Sequence, residues 1–282
     1  MNFKSLESVN SKDILKVFNE SFADYFVPFK LTENQLVSKM TSDKINLNLS
    51  VGVFENQKLI AFILHGFDTI NNQKVVYNGG TGVMPKNRGQ GITKKMYDFA
   101  LPILEKNGID KIILEVINEN IPAIKSYEKV GFKTTRELAC FKGIFKPKNS
   151  NTVVETIELQ NYDWNLMESF WDIHTTWQNS KNVLDDLKKD NDARAAYING
   201  QLIGYVIYKP KSKQIQQIAI HKSFRKKGIA TKLIAELAEK YGSYFSVINV
   251  DKKSKHVTGF FESLGFEYSI EQLEMELDLN KD

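Results

Sequence analysis

Residues 74–93 read KVVYNGGTGVMPKNRGQGIT, and residues 213–230 read KQIQQIAIHKSFRKKGIA. Each stretch is a strand, then a basic loop containing glycine, then the start of a helix. The segments before them also match. VGVFENQKLIAFILHG (51–66) alternates like two strands joined by a turn at Glu55-Asn56-Gln57-Lys58, and RAAYINGQLIGYVIYKP (194–210) repeats the hairpin with its turn at Asn199-Gly200, residues that tolerate positive φ. After the loops come two amphipathic helices. One carries Ile92, Met96, Ala100, Ile103 and Leu104 on a single face, and the other carries Ile229, Leu233, Ile234, Leu237 and Ala238. A buried strand follows in each (KIILEVI, YFSVINV), then a short helix and the endings KVGF and SLGF. The period is too long for a solenoid, so the chain is a duplicated αβ domain. A polar, proline-containing stretch, FKPKNSNTVV, reads as the linker between the copies. The expected domains are therefore residues 1–146 and 151–282.

The loops carry the first chemistry. A glycine-rich turn that opens a helix leaves several backbone N–H groups unpaired at the positive end of the helix dipole. Such a site takes phosphate or pyrophosphate without needing a charged side chain. Arg88, Gly89, Gln90, Gly91, Ile92 and Thr93 form this arrangement in the first copy, with Lys94 and Lys95 adding charge. Arg225, Lys226, Lys227, Gly228, Ile229 and Ala230 form it in the second. Neither has the Gly-Lys-Ser/Thr ending of a nucleotide P-loop, which argues against an NTPase.

With these loops the sequence resembles the GNAT superfamily of acyl-CoA N-acyltransferases, whose loop reads R/Q-x-x-G-x-G/A. RKKGIA fits the pattern fully; RGQGIT departs from it only at Thr93. The resemblance spans nearly the whole chain as two modules. It implies an α/β fold, a mixed and strongly twisted sheet with flanking helices, present twice in tandem. It also implies that the fourth and fifth strands of each sheet splay apart to hold coenzyme A. Backbone amides of the fourth strand would hold the thioester carbonyl as an oxyanion hole. That strand runs through Gly82, Val83 and Met84 in the first copy and Ala219, Ile220 and His221 in the second.

LEVINENIPAIKSYEKVGF (114–132) is similar to the family's L-E-V-x-x-x-N-x-x-A-x-x-x-Y-x-x-x-G-F. By that resemblance Asn120 lies at the pantetheine and Tyr127 is the proton donor. The chemical need is plain: an amine attacks the thioester, and the thiolate leaves more easily if protonated as the bond breaks. A tyrosine with a pKa near ~10 can donate to a thiolate whose conjugate acid lies near ~8.5. The alternative reading of Tyr127 is a helix aromatic used for packing. The second copy, INVDKKSKHVTGFFESLGF (248–266), has Ser254, Val257 and Phe261 where the first has Asn120, Ala123 and Tyr127. Phenylalanine donates no proton, so the second module keeps the loop and loses the acid. Glu115 is the acidic candidate for a general base, or else a structural residue of a buried strand.

Composition narrows the remaining classes. A hydrophobic fraction of 42% with 26% charged residues is globular and excludes disorder. No apolar run approaches the roughly 20 residues needed to span a bilayer. The sole cysteine, Cys140, excludes a disulfide-stapled secreted protein and points to the cytoplasm; it lies in a strand-like ELACF and reads as a small core residue. A net charge of +4 suits an anionic cosubstrate but lacks the clustering of a nucleic-acid binder. His65, His174, His221 and His256 have no metal-ligand spacing. The Trp164, Trp171 and Trp177 group and the SFADYFVPF segment are either acceptor-pocket walls or packed aromatics. The expected partners are acetyl-CoA and an amine acceptor, with neither nucleic acid, membrane nor metal. The acceptor's identity and the oligomeric state are not written in the sequence.

Overall fold

The structure is a computed structural model that describes residues 1–26, 30–146 and 152–280. Part of SFADYFVPF (residues 27–29) and the centre of the linker (147–151) lie outside the described residues. The chain forms two compact units, residues 1–135 with 273–282, and residues 136–272. This division differs from the split at 146/151. The chain passes between units inside two strands, KTTRELACFKGI and FEYSIEQLEMELD, and nothing in their residues marks such a crossing.

The first unit contains β1 (Asn2–Ser5), α1 (Ser11–Ser21), α2 (Glu33–Ser42), β2 (Val51–Glu55), β3 (Lys58–Ile70), β4 (Gln73–Val83), α3 (Ile92–Lys106), β5 (Lys111–Ile117), α4 (Ile121–Glu128) and the first residues of β6 (Lys133–Ile144). Asn10 caps α1 by accepting from the Lys12 amide. Thr32 and Gln35 form a reciprocal capping box at α2. Asn56 and Gln57, at φ 48° and 65°, make the β2–β3 turn. Paired positive φ matches the right-handed twist of the strands. The sheet order is β1-β2-β3-β4-β5, followed by the end of β12 (Phe266–Asp278). The Lys111–Glu276 ion pair and the Leu279 amide on the Asp110 carbonyl tie down that last strand.

Both faces of this sheet are covered. Val53, Ile63, Val76, Met96, Tyr97, Leu104 and Ile112 pack on the α3 side. Leu6, Ile14, Phe18, Leu36, Phe62 and Leu64 pack on the α1 side. Double coverage explains why Leu59–Leu64 is one apolar run with no alternation. Each side chain so buried contributes about 1.5–3 kcal/mol.

The second unit holds the rest of β6, then β7 (Glu155–Glu158), α5 (Trp164–Glu168), α6 (Lys181–Asp186), β8 (Asp192–Ile198), β9 (Gln201–Lys209), β10 (Gln214–Ile220), α7 (Ile229–Tyr241), β11 (Tyr244–Asp251), α8 (Lys255–Ser263) and the first part of β12. Its strand order is β7-β8-β9-β10-β11, followed by residues 136–144 of β6 and then β12. Asn199 and Gly200, at φ 50° and 75°, make the β8–β9 turn. Phe245, Val206, Leu233 and Leu237 pack on one face and Tyr205, Ile207, Phe170 and Leu184 on the other. Among the described residues no helix is long and apolar enough to cross a membrane.

Candidate active site

In the first unit β4 pairs with β5 at only three positions, Val75 with Lys111, Val76 with Ile112 and Tyr77 with Ile113. Beyond Tyr77 the strands part, and residues 78–83 pair with β3 alone. The β3–β4 register slips between Leu64 and His65, leaving Gly79 as a bulge. The second unit repeats both features. β10 meets β11 only at Gln214 and Ser246, and its register with β9 slips at Gln216. Gly82 and Val83, and likewise Ala219 and Ile220, therefore lie on strand edges facing a wedge-shaped gap. Gly82 is required by close packing, because a Cβ there would come within 2.4 Å of the Phe62 ring.

The loops lie at the ends of these strands. Gly89 and Gly91 take φ of 77° and 67°, and Lys226 and Gly228 take 59° and 78°. Gly91 and Gly228 occupy the cap positions of α3 and α7, and neither helix start has a side-chain cap. The first amides of both helices are thus open to a ligand. A Cβ at Gly89 or Gly91 would meet nothing within 4 Å, so the backbone turn, and not crowding, calls for glycine. Ile92 and Ile229 bury their side chains in the core and leave only their amides to the gap. Gln90 and Lys227 are exposed, and Thr93 and Ala230 are half-buried.

The two arginines make matching contacts inside their own units. Arg88 donates to the Val83 carbonyl (3.3 Å), the Ser21 carbonyl (2.9 Å) and both oxygens of Asp24 (2.6 and 2.8 Å). Arg225 likewise donates to the carbonyls of Ile220 (3.1 Å) and Phe170 (2.8 Å) and to Asp172 (2.9 Å). Each guanidinium fork is spent tying the strand end to the segment after the unit's first helix, which fixes the loop. The Arg88 side chain also holds the Asp24 carboxyl below its usual pKa through its hydrogen bond.

On α4, Asn120 caps the helix by accepting from the Ala123 amide (3.2 Å), and its Nδ2 reaches the Tyr25 hydroxyl at 3.5 Å. Tyr127 is 8% exposed. Burial raises its pKa, and the Thr81 hydroxyl and Asn78 amide, as donors to the phenol oxygen, partly offset the rise. The phenol is therefore protonated across the neutral range. Asn78 also donates to Thr81 Oγ1 (2.8 Å) and to the Tyr97 hydroxyl (2.9 Å), while its Oδ1 accepts from the Gly80 amide (3.0 Å). Asn78, Thr81, Tyr97 and Tyr127 form one polar network beside the bulge, and the Tyr97 and Tyr127 rings meet edge to face.

The second unit has an apolar residue at every one of these positions. Relative to the bulge, Ile215 stands where Asn78 does and Ile218 where Thr81 does. Ile234 is the sixth residue of α7 as Tyr97 is of α3, and Phe261 is the seventh of α8 as Tyr127 is of α4. The reverse exchange occurs at the bulge itself, where Gln216-Gln217 replace Gly79-Gly80. The gap of the second unit is a cleft of about 820 Å³, lined by the α7 loop and by Ile218, Val247 and Phe261 among others.

Glu115 accepts a hydrogen bond from the Tyr77 hydroxyl at 2.6 Å. Burial, with the charges of Glu115, Asp43 and Glu274 adding to it, pushes the Tyr77 pKa well up. Asp43 is 3% exposed, pairs with Lys39 at 2.5 Å, and would lie 3.0 Å from a Cβ at Gly79. Asp43, Asn78, Thr81 and Tyr97 had no motif to mark them; only the NGGT sequence hinted at an unusual strand. His65 is fully buried, bonds the Leu49 carbonyl at 2.7 Å through Nδ1, and has its pKa pushed down to about 4, chiefly by burial. Cys140 is a core residue. Trp177 is buried and Trp171 lines the second cleft. Among the described residues no group of His, Cys, Asp and Glu is arranged to hold a metal.

A bulged strand parting from its parallel neighbour, opposite a glycine loop at a helix start, defines an acyl-CoA acyltransferase fold, present here twice. The sequence matches the acetyltransferase (GNAT) family over residues 14–132 and again over 156–266, and the chain belongs to that family, whose members use acetyl-CoA as cosubstrate. A tandem GNAT protein from the clavulanic acid biosynthesis pathway superposes with a TM-score of 0.71 at 12% identity, covering 100% of this chain and 99% of that one. A GCN5-related N-acetyltransferase from Sphaerobacter thermophilus gives 0.72 at 12% identity over 99% and 96%. The [ribosomal protein bS18]-alanine N-acetyltransferase of Haemophilus ducreyi is 27% identical over 127 residues, which is 45% of this chain and 81% of that protein.

Proposed function

We propose that the first unit transfers an acetyl group from acetyl-CoA to a primary amine, with Tyr127 as the general acid. The neutral amine attacks the thioester carbonyl, a C–N bond forms as the C–S bond breaks, and the nitrogen gives its surplus proton to solvent, which returns one to the Tyr127 phenolate. The Tyr127 hydroxyl gives its proton to the departing sulfur. Thr81 and Asn78 hold that hydroxyl in place, and the Val83 amide, on the edge of β4 away from β3, faces the carbonyl oxygen. The loop amides from Gly89 to Thr93 take the pyrophosphate, and Asn120 orders the entry to α4. Carboxylates at Asp43 and Glu115 favour an incoming cation over an anion.

The observation that carries this reading is the joint exchange of Asn78, Thr81, Tyr97 and Tyr127 for Ile215, Ile218, Ile234 and Phe261, while both units keep the loop and splay. A set used only for packing would not need to be polar in one copy and apolar in the other. The test is thiol release by the full chain on an amine panel. Release that depends on Tyr127 supports the reading. Coenzyme binding without release supports instead a non-catalytic acyl-CoA-binding protein.

A further inference from the structure

The two units differ most around the point where Tyr127 stands in the first. Hydroxyls surround that point: Thr81 and Tyr127 belong to the polar network, and the Tyr25 hydroxyl accepts from Asn120 Nδ2 at 3.5 Å. The two arginines align the units here. Arg88 binds Asp24 and Arg225 binds Asp172, and the residues that follow these aspartates are Tyr25 and Ile173. Ile173, Ile218 and Phe261 thus take the places of Tyr25, Thr81 and Tyr127. Three hydroxyl-bearing side chains become three hydrocarbon ones.

The cleft of about 820 Å³ joins this hydrocarbon wall to the α7 loop, since Lys226 and Gly228 line it together with Ile173, Ile218, Val257 and Phe260. Its size is at the large end for small-molecule pockets, which run to roughly 300–1,000 Å³. Ile173, Ile218, Val257 and Phe260 are half-buried, so each keeps surface that a ligand in the cleft can cover. All four pack on the core of the α7 side, and Phe261 lies behind Phe260 with ring centroids 5.3 Å apart. Among the described residues lining the cleft the only carboxylate is Asp172, and Arg225 pairs with it at 2.9 Å. An ammonium group beside this wall would lose water and gain no counter-charge, whereas a hydrocarbon chain gains by leaving water.

Resting on the coenzyme reading of the α7 loop, we infer that the second unit binds a coenzyme A thioester whose acyl group is an apolar chain longer than acetyl, held by Ile173, Ile218, Val257 and Phe260. The phosphates lie at the loop and the pantetheine runs between β10 and β11. The acyl chain then covers hydrocarbon surface at the positions where the first unit has hydroxyls.

All three tryptophans, Trp164, Trp171 and Trp177, belong to the second unit, and Trp171 lines the cleft, so tryptophan emission of the full chain follows its filling. The probes are coenzyme A, acetyl-CoA, butyryl-CoA and hexanoyl-CoA. Each methylene taken from water should tighten binding about fourfold, the equivalent of about 0.8 kcal/mol, so butyryl-CoA should bind about 15-fold more tightly than acetyl-CoA. Ile173→Asn should weaken this dependence and leave the affinity for coenzyme A itself unchanged, which also shows that the variant is folded. Equal affinities for the three thioesters in the unaltered chain would overturn the inference alone. No response to any probe would overturn it together with the coenzyme reading of the α7 loop. Thiol release at the first unit is measured separately, so failure of the acetyl-transfer reading remains distinguishable.

Discussion

Replacing Gly91 by valine separates a backbone phosphate site from a charge-based one. Gly91 sits at φ 67° at the cap of α3, with open space where a Cβ would go. The left-handed backbone costs a residue with a side chain about 1–2 kcal/mol. That lowers the melting temperature by about 2–8 °C for a unit of this size. The effect on binding is larger. The side chain projects into the space through which a pyrophosphate reaches the open amides of α3. Losing two charge-assisted hydrogen bonds at about 1.5–3 kcal/mol each weakens binding by at least ~100-fold. Lys95→Ala removes only an exposed charge, for which about 0–1 kcal/mol, or up to ~5-fold, is expected. Isothermal titration of the full chain with acetyl-CoA, supported by the KM for acetyl-CoA at the first unit, reads both. Comparable losses for the two variants would refute the backbone account.

Three other outcomes follow from the same geometry. Thr81→Val removes a hydrogen bond that opposes the rise in the Tyr127 pKa, so the alkaline limb of the kcat profile should move up and kcat should fall about tenfold with coenzyme affinity kept; an unmoved limb counts against the network. Phe261→Tyr places a hydroxyl among Ile215, Ile218 and Ile234, so it should destabilise the chain by about 1–3 kcal/mol without adding acetyl transfer, and new turnover in a Tyr127→Phe background would contradict this. His65 has a folded pKa depressed to about 4, so the stability it confers is present above its unfolded value near ~6.5 and is lost as pH falls. Between about pH 7 and pH 5 that loss is roughly 2 kcal/mol in urea unfolding. His65→Gln should remove this part of the slope, and an identical slope would rule His65 out.

Much of the fold was legible because its signals are local. Asn-Gln and Asn-Gly turns, glycine at a helix cap and periodic helix faces each need only neighbouring residues to be read. The candidate site follows a motif at Asn120 and Tyr127, which the fold places on α4. No motif marks the residues whose partners come from distant parts of the chain. Asn78 and Tyr97 meet across 19 positions, and Asp43 reaches Gly79 only through the fold. Arg88 and Arg225 have partners that the sequence does not announce. A basic residue in a phosphate loop suggests a phosphate ligand, but Asp24 and Asp172 lie dozens of positions away and claim the side chains. Residues 133–144 and 266–278 each read as a single strand, and nothing in their alternation marks where one compact unit ends and the other begins.

The central claim rests on the Tyr127 proton, and single-turnover kinetics of the full-length Tyr127→Phe chain test it most directly. The substitution keeps the ring, and Phe261 shows that the same fold accepts phenylalanine there. With acetyl-CoA bound, the chemical step should slow by about 10²–10⁴, the range for a lost general acid, while the dissociation constant for acetyl-CoA stays within about twofold. An unchanged chemical step would contradict the account, and so would a loss seen only in coenzyme affinity.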